Sequence, residues 1–470
     1  MSTNTYQTVI GLEVHVELKT ETKVFCSCRT VFNPEPNLNC CPGCSGMPGT
    51  LPSLNARAVE FAVRAGLAFN CEINRFTFFE RKHYFYPDLP AGFQVSQLAR
   101  PLCVGGYVDI GDKRIRLNRI HLEEDAGKLV HSNAGTLVDC NRGCMPLIEI
   151  VTEPDLRSAD EALAFLEALK SIVKYTGVSD AKMEQGSLRC DVNISVNRPG
   201  EKLGVRTEMK NIASFKAVNR AILYESKRHR DVIEAGGKIV QETRRWDDAK
   251  GKSFSMRVKE TAADYRYFPA PDIPPVRISE EFIESVRKTL PVLAAGRAKK
   301  YTGDYGLPAT AAEVLTSDKA IADFFDGCVA AGAKPKSAAN WVMTEILRKV
   351  KESEDIEITI RPADLAAVIK LLDENAINQN AARALFEAYW KGDSRAPEEL
   401  IKALGLEQMS DNSALEGIIK GIIDASPAAV KDYRAGNTKA FAYFVGQAMK
   451  ATKGAASPAA VNEIVKTLLG

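Results

Sequence analysis

Glu13, His15 and Glu17 occupy alternate positions of the stretch GLEVHVELK, residues 11–19. An imidazole between carboxylates on one strand face can hold a divalent cation or move protons. The pattern recurs along the chain. Glu123 follows His121 in RIHLEED, Glu149 lies in PLIEIVTEPD, Arg189 and Asp191 alternate in SLRCDVNIS, and Glu208 and Lys210 close LGVRTEMK. If these faces share one sheet, the carboxylates would bind Mg²⁺ and the cations would take phosphate oxygens. Phosphoryl transfer needs both, because its catalysis is mainly positioning and charge neutralisation. The wet face of an antiparallel sheet, with cross-strand ion pairs, has the same pattern. Pattern alone favours that plainer reading.

A second group is made of thiols. Cys26 and Cys28 form a C-x-C pair, and Cys40, Cys41 and Cys44 follow in CCPGCSG. C-x-C with a later C-x-x-C can converge four thiolates on one tetrahedral zinc, a closed structural site with no position left for substrate. Reduced thiols in a turn are the alternative, and Cys40 could stand in for Cys41. The chain has 11 cysteines and begins MSTNTYQTVIG, without a charged n-region and apolar h-region. No secretion signal is expected, so metal ligands or buried thiols are favoured over disulfides.

Two further stretches interleave bases with aromatics: RKHYFYPDLPAGFQVSQ at 81–97 and YRYFPAPDIPP at 265–275. Both read as Pro-fixed loops. They suit aromatic packing or stacking on a nucleotide or RNA equally well. Some signatures are missing. No G-x-x-x-x-G-K-[ST] occurs, since GKS at 251–253 has Trp246 where the first glycine belongs, and no G-x-G-x-x-G follows a strand. A nucleotide site must be of another type.

The elements that must position these residues follow from periodicity. Leu12, Val14, Val16 and Leu18 oppose the polar residues of the first stretch, which predicts a half-buried strand. A helix is expected over 55–70. Antiparallel β is expected over 104–153. Ser158 and Glu161 form an S-x-x-E capping box that opens a helix ended by Gly177. SLRCDVNISV and LGVRTEMKN, separated by the turn NRPGEK, predict a hairpin. In the second, Leu203, Val205, Thr207 and Met209 oppose Arg206, Glu208 and Lys210. A helix from about Ser214 to Glu234 and a hairpin of KIVQETRRWDD with GKSFSMRVKE follow. Strands in runs with segregated helices indicate an antiparallel α+β domain.

At 470 residues, 45% hydrophobic and 26% charged, the chain should hold two to four domains. A net charge of +2 excludes a generally basic nucleic-acid coat. No apolar run reaches membrane-spanning length. From about residue 290 strand patterns vanish and helix follows helix. The final stretch, 431–470, carries six Lys/Arg against two Asp/Glu. It is either an RNA-docking module or a helix bundle with solvated lysines.

VIGLEVHVEL, the cysteine loop ending in PGTLP, RKHYFYPDLPAGFQVSQ, HLEEDAGK, PLIEIVTEPD, GSLRCDVNIS, ETRRWDD, DYRYFPAPDIPP and VGQAMKATKGAASP occur in this order across nearly the whole chain. Together they resemble the GatB family of tRNA-dependent amidotransferase subunits. The resemblance implies an α+β fold: an antiparallel-sheet cradle (1–290), an all-α domain (291–405) and a helical tRNA-binding tail (406–470). It implies a heterotrimer with an amidase (glutaminase) partner and a small third partner, in the cytosol or an organelle matrix and not at a membrane. The implied reaction is ATP-dependent phosphorylation of the side-chain carboxylate of Glu-tRNA(Gln) or Asp-tRNA(Asn), followed by amidation with ammonia from glutamine. The implied cofactors are ATP, Mg²⁺ and a structural Zn²⁺. His15, Glu123 and Glu149 match the magnesium ligands, and Cys26, Cys28, Cys41 and Cys44 match the zinc loop. Glu13, Arg189, Asp191 and Lys210 are implied for catalysis around metal and phosphates, with Glu124 a further neighbour. Glu17 gains no role, and Cys144 has none. A non-catalytic tRNA-binding scaffold is the rival reading.

Overall fold

The computed structural model describes residues 6–32, 35–133, 135–258, 262–350, 357–406, 412–434, 439–452, 456 and 458–470. Lys453 and Gly454 of the tail motif, for example, lie outside them. The chain divides into two units, Met1–Leu293 and Ala294–Gly470. Among the described residues, no helix is long and apolar enough to cross a membrane.

Unit 1 opens with β1 (Gln7–Glu17) and α1 (Ala56–Ala68). Short strands follow: β2 (Glu72–Ile73), β3 (Phe76–Thr77), β4 (Glu80–His83), β5 (Phe93–Ser96), β6 (Cys103–Val104) and β7 (Tyr107–Ile110). The long β8 (Lys113–Glu124) leads to the ribbon β9 (Lys128–Ser132) and β10 (Gly135–Asp139), then to β11 (Pro146–Thr152) and α2 (Ala159–Tyr175). Next come β12 (Leu188–Asn197), β13 (Thr207–Lys210), α3 (Phe215–Glu234), β14 (Glu242–Asp247) and β15 (Lys252–Val258). The last two strands are β16 (Phe268–Pro269) and β17 (Val276–Arg277).

Ten strands form the main sheet, in the order β15-β14-β13-β12-β1-β11-β8-β6-β2, with β7 paired to β8. β1 lies near its centre because both edges of its backbone are paired, with β11 and with β12, antiparallel. Register follows from the alternation. Ile10, Leu12, Val14 and Val16 are buried to 1% exposure or less, while Gly11, Glu13, His15 and Glu17 point to the other face. Each such apolar side chain contributes roughly 1.5–3 kcal/mol by leaving water. A one-residue slip would reverse every side chain, so the pairing is strongly specified.

The helices pack on the apolar face. α1, α2 and α3 join β1, β8, β11 and β12 in one core that includes Phe61, Phe165, Leu169 and Val218. Their starts are capped as the sequence indicates. Asn55 accepts from the backbone N of Arg57 and Ala58, Ser158 from that of Glu161, and Ser214 from that of Ala217. The second arm of the expected box is displaced: the Glu161 carboxylate accepts from the Arg157 backbone N at 2.7 Å and from Lys113 at 2.6 Å.

Two expectations need correction. The sheet is mixed, because β13 and β14 are parallel. α3 carries the chain between them as a crossover helix, which brings the second strand back in the same direction. The strand expected over LGVRTEMKN begins only at Thr207. Leu203 and Val205 stand 58% and 47% exposed, so the alternation is kept by Thr207 and Met209 alone.

Unit 2 is helical throughout its described residues. Helices such as Lys319–Ala330, Pro362–Asp373 and Gln379–Trp390 enclose one core that includes Phe325, Trp341 and Phe386. Leu415, Phe444, Val461 and Val465 belong to a second, smaller core.

Candidate active site

Cross-strand register assembles the site. His15 pairs with Glu149 on β11 and Arg189 on β12, Glu13 with Asp191, and Glu149 in turn with His121 on β8. Glu208 on β13 stands opposite Asn193. All these residues project from the face opposite the helices, because directly paired residues share a face.

The carboxylates gather in two sets. His15 Nε2 lies 3.3 Å from Glu123 Oε1 and 3.5 Å from Glu149 Oε2. These three residues offer donor atoms within 4.8 Å of one another, as do Glu13, Asp191 and Glu208. Lys210 pairs with Asp191 and lies 3.4 Å from Glu208. Electrostatics show how crowded the negative charge is. Burial pushes the Glu13 carboxyl up, and the neighbouring Glu149 and Glu208 push it further. Burial works against a charged His15, yet hydrogen bonds to Glu123 and Glu149 outweigh it and hold its pKa up at about 10. Lys210 is held up in the same way by Asp191 and Glu208 against burial. Converging carboxylates short of cations are the donor set that a divalent ion relieves. The all-oxygen set suits Mg²⁺, and the set with an imidazole nitrogen suits Mg²⁺ or Mn²⁺.

Sequence reasoning missed His121. Its Nε2 lies 3.5 Å from both Glu123 Oε2 and Glu149 Oε2, and it is 3% exposed. Arg119 Nε donates to His121 Nδ1 at 3.3 Å, which leaves the Nε2 hydrogen facing the carboxylates. The available signal was its place two residues before Glu123 on one alternating strand. Glu208 was in the polar set but outside the chosen catalytic residues, and the structure puts it beside Glu13. Arg189 does not reach the carboxylate sets. It donates to Asp125 at 2.8 Å, which Arg142 also grips at 2.7 Å. Burial raises the Asp125 carboxyl, but these two guanidinium groups outweigh it and lower its pKa. Arg142 also holds Glu17 at 3.1 Å, so Glu17 is a paired wall residue of a cavity of about 520 Å³ with Arg189 and Asp191.

The two aromatic stretches meet. β16 pairs with β4, His83 stacks on Phe268 with centroids 4.8 Å apart, and Lys82 lies 4.9 Å from the Tyr265 ring. Burial, then the charge of Glu123, pushes the Tyr84 and Tyr267 phenols up, so both stay protonated beside the His15 set. Glu124 is turned away from that set. Its Oε1 accepts from Val95 N at 2.7 Å and its Oε2 from Cys144 Sγ at 2.8 Å. Burial raises its pKa to about 7. It lines a cavity of about 250 Å³ that reaches Cys44 and Asp272.

At the cysteine loop, the Sγ atoms of Cys26, Cys28, Cys41 and Cys44 lie within 4.8 Å of one another. The Cys44–Cys28 separation is 4.0 Å, close to the tetrahedral edge of about 3.8 Å implied by zinc–sulfur bonds. Cys44 accepts from Cys41 N at 3.2 Å and from the wholly buried Lys23 at 3.6 Å. Its pKa falls to about 4, chiefly through a hydrogen bond from Cys26. A buried lysine beside four thiols fits a site whose sulfurs carry negative charge. Cys40 turns out of the group and donates to Asn37 O at 3.3 Å.

Comparison with known proteins agrees with this layout. The GatB/GatE catalytic domain family matches residues 8–284, and the GatB domain family matches residues 323–469. Full-length relatives named as the B component of aspartyl/glutamyl-tRNA(Asn/Gln) amidotransferase include that of Caldicellulosiruptor saccharolyticus, 52% identical with 98% of each chain covered. Those of Geotalea uraniireducens and Persephonella marina are each 49% identical, with 98% and 99% of both chains covered. The matched catalytic region holds every carboxylate and thiol described above, and the chain belongs to the GatB family.

Proposed function

We propose that the polar face of unit 1 uses ATP to activate the side-chain carboxylate of Glu-tRNA(Gln) or Asp-tRNA(Asn) for amidation, within a ligase complex that includes a glutaminase and a small third partner. The observation that carries this reading is the pair of three-donor sets side by side on one sheet face, with Lys210 at their edge. A carboxylate does not react with ammonia, because oxide is a poor leaving group. Its oxygen attacks the γ-phosphorus, the bond to the ADP oxygen breaks, and an acyl phosphate forms. Ammonia then attacks the acyl carbon, phosphate leaves, and a proton is lost from nitrogen.

His15, Glu123 and Glu149 would hold one divalent ion, and Glu13, Asp191 and Glu208 a second. Bound there, such ions supply charge neutralisation for the transferring phosphoryl group. Lys210 takes phosphate oxygens as a point charge. His121 keeps Glu123 and Glu149 aimed. Arg142 and Arg189, already braced on Asp125, present the cationic wall at which an acceptor carboxylate can lie. Glu124, with its oxygens held by Val95 N and Cys144, braces the strand behind the site and is given no part in the reaction. The Tyr84 and Tyr267 side wall limits water, which would hydrolyse the acyl phosphate. The four cysteines would hold zinc as a structural clamp. The small helical body around Phe444 and Val461 is assigned to tRNA docking, from its basic balance.

The test is His15→Ala in the reconstituted complex. ATP cleavage and amidated tRNA should both fall by about 10²–10³-fold, while glutamine hydrolysis in the glutaminase partner persists. Conversion of Glu-tRNA at the original rate would leave only the scaffold reading.

A further inference from the structure

The thiol loop and the cationic wall of the site meet at one turn. The turn is a short 3-10 helix, Cys140–Arg142, between β10 and β11. On one side it adds Asn141 and Arg142 to the wall of the cavity of about 520 Å³. There the Arg142 guanidinium is held by Asp125 at 2.7 Å, Glu17 at 3.1 Å and Gly186 O at 3.3 Å. On the other side it lies against the cysteines. A Cβ on Gly143 would come within 3.3 Å of Cys44 O, so the two backbones pack closely.

Three asparagines fasten the turn to the loop. Asn39 N donates to Asn141 Oδ1 at 2.8 Å, and Asn141 Nδ2 donates to Glu35 O at 2.8 Å. Asn37 Nδ2 donates to Val138 O at 2.9 Å, while Asn37 Oδ1 accepts from Cys140 N at 2.8 Å. Asn37 N donates to Asp139 Oδ1 at 3.1 Å, the same oxygen that accepts from Asn141 N at the start of the turn. Asn37 is left-handed, with φ 59°, a conformation that glycine and asparagine adopt most readily. Lys23 ties this clasp to the sulfurs. Its Nζ donates to Asn39 O at 3.0 Å and to Cys44 Sγ at 3.6 Å. Lys23 is wholly buried, so its charge needs an anionic partner beside it, which the thiolates of a filled site supply.

We infer that this clasp couples the metal-filled thiol loop to the acceptor wall, with Asn37 and Asn141 as positioning residues for Arg142. The inference rests on the reading of Arg142 as part of the wall at which the acceptor carboxylate lies, and adds what the closed metal site holds in place. A guanidinium grips a carboxylate through directed N–H bonds, so a small shift of its backbone weakens the pair. Asp125, Glu17 and Gly186 fix the tip of Arg142, and the clasp fixes its root. An ion in the thiol loop keeps the root rigid. A loop without one leaves Lys23 short of its anionic partner and loosens Asn39. The consequence is selective. Acceptor tRNA binds more weakly, while phosphoryl transfer on bound substrate is unchanged, because the carboxylate sets stand on β1, β8, β11, β12 and β13 and not on this turn.

The test measures Glu-tRNA(Gln) affinity and steady-state kinetics in the reconstituted complex, with zinc content as the readout of the loop. Asn37→Gly removes both side-chain arms of the clasp at an exposed position and leaves the left-handed backbone unstrained. It should raise Kd and KM for Glu-tRNA about three- to fivefold, with kcat within about twofold of the parent and zinc fully retained. Zinc stripped from the parent by a chelator should raise KM by a similar factor. Arg142→Ala, in which Asp125 keeps Arg189 as its partner, should weaken Glu-tRNA binding about tenfold. In that background Asn37→Gly should add nothing, because the clasp acts only through Arg142. Parent-like KM in Asn37→Gly or in the stripped complex overturns the coupling. So does an Asn37→Gly factor that persists on top of Arg142→Ala, or a loss in kcat that matches the rise in KM. If Arg142→Ala itself binds and amidates Glu-tRNA as the parent does, the acceptor-wall reading fails instead.

Discussion

The thiol group and the carboxylate sets are built in opposite ways. Cys26 to Cys44 lie in one short loop, and their sulfurs converge through tight turns and a buried lysine. The carboxylates come from β1, β8, β11, β12 and β13, from Glu13 to Glu208, and converge only because five strands hold one register. Four thiolates fill a tetrahedral ion and leave it inert. Three-donor sets leave open positions, which is what a reacting phosphate needs. On the function proposed above, the contrast separates a clamp from a reaction site within one unit.

The sharpest way to break that contrast is a paired measurement. Cys44→Ser should cost about 3–5 kcal/mol of stability, read as the denaturation midpoint, with less than a tenfold loss of rate per folded molecule. His15→Ala should do the reverse in Mg²⁺ buffer, losing about 10²–10³-fold in rate with a small change in melting temperature. If both variants lose stability alike, the two groups do not have separate roles.

A third charge cluster sharpens the comparison, because its carboxylate and imidazole are wholly buried. Glu225 and His229 are 0% exposed, Thr207 bridges them, and Arg228 pairs with Glu225 at 2.5 Å. Burial raises the Glu225 carboxyl, but His229 and Arg228 outweigh it and lower its pKa from 4.5 to about 2. The unfolded chain therefore takes up this proton first as pH falls. The stabilisation is complete above about pH 4.5 and is lost as pH falls toward 2, up to about 3 kcal/mol. In Glu225→Gln, stability measured over that window should lose this part of its pH dependence. An unchanged slope would remove the cluster from the comparison.

Two smaller effects refine each group. His121→Ala should slow the reaction about tenfold, with affinity for the divalent ion reduced, since His121 steadies the carboxylates. A variant with parent-like rate and ion affinity would reduce His121 to packing. Cys40→Ser should change stability by less than about 0.5 kcal/mol and leave zinc content intact, whereas Cys41→Ser should lose the ion. Loss of zinc from Cys40→Ser would reverse that assignment.

Much of this was readable along the chain. The alternation of β1 and β12 and the caps of α1, α2 and α3 are local patterns, and the structure has them where the residues indicate. What failed to show was non-local. Leu203 and Val205 continue an alternating pattern, but their segment only touches β12 at Gly204 and joins its ladder from Thr207 onward, so β13 is short. The parallel pairing of β13 and β14 follows from the path of α3, which periodicity does not record. His121 and Glu208 looked like any other polar-face residues until their neighbours were in place.

The sequence alone determined which residues share a face and which thiols can converge. Alternation has period two, and a short loop keeps its cysteines tethered. Only the tertiary structure decided which of those faces adjoin. Strand order places Glu13, Asp191 and Glu208 within reach of one ion and turns Arg189 to Asp125. Residues distant in the chain meet through the pairing of whole strands, and that pairing is set by burial of the opposite face, not by the polar residues it brings together.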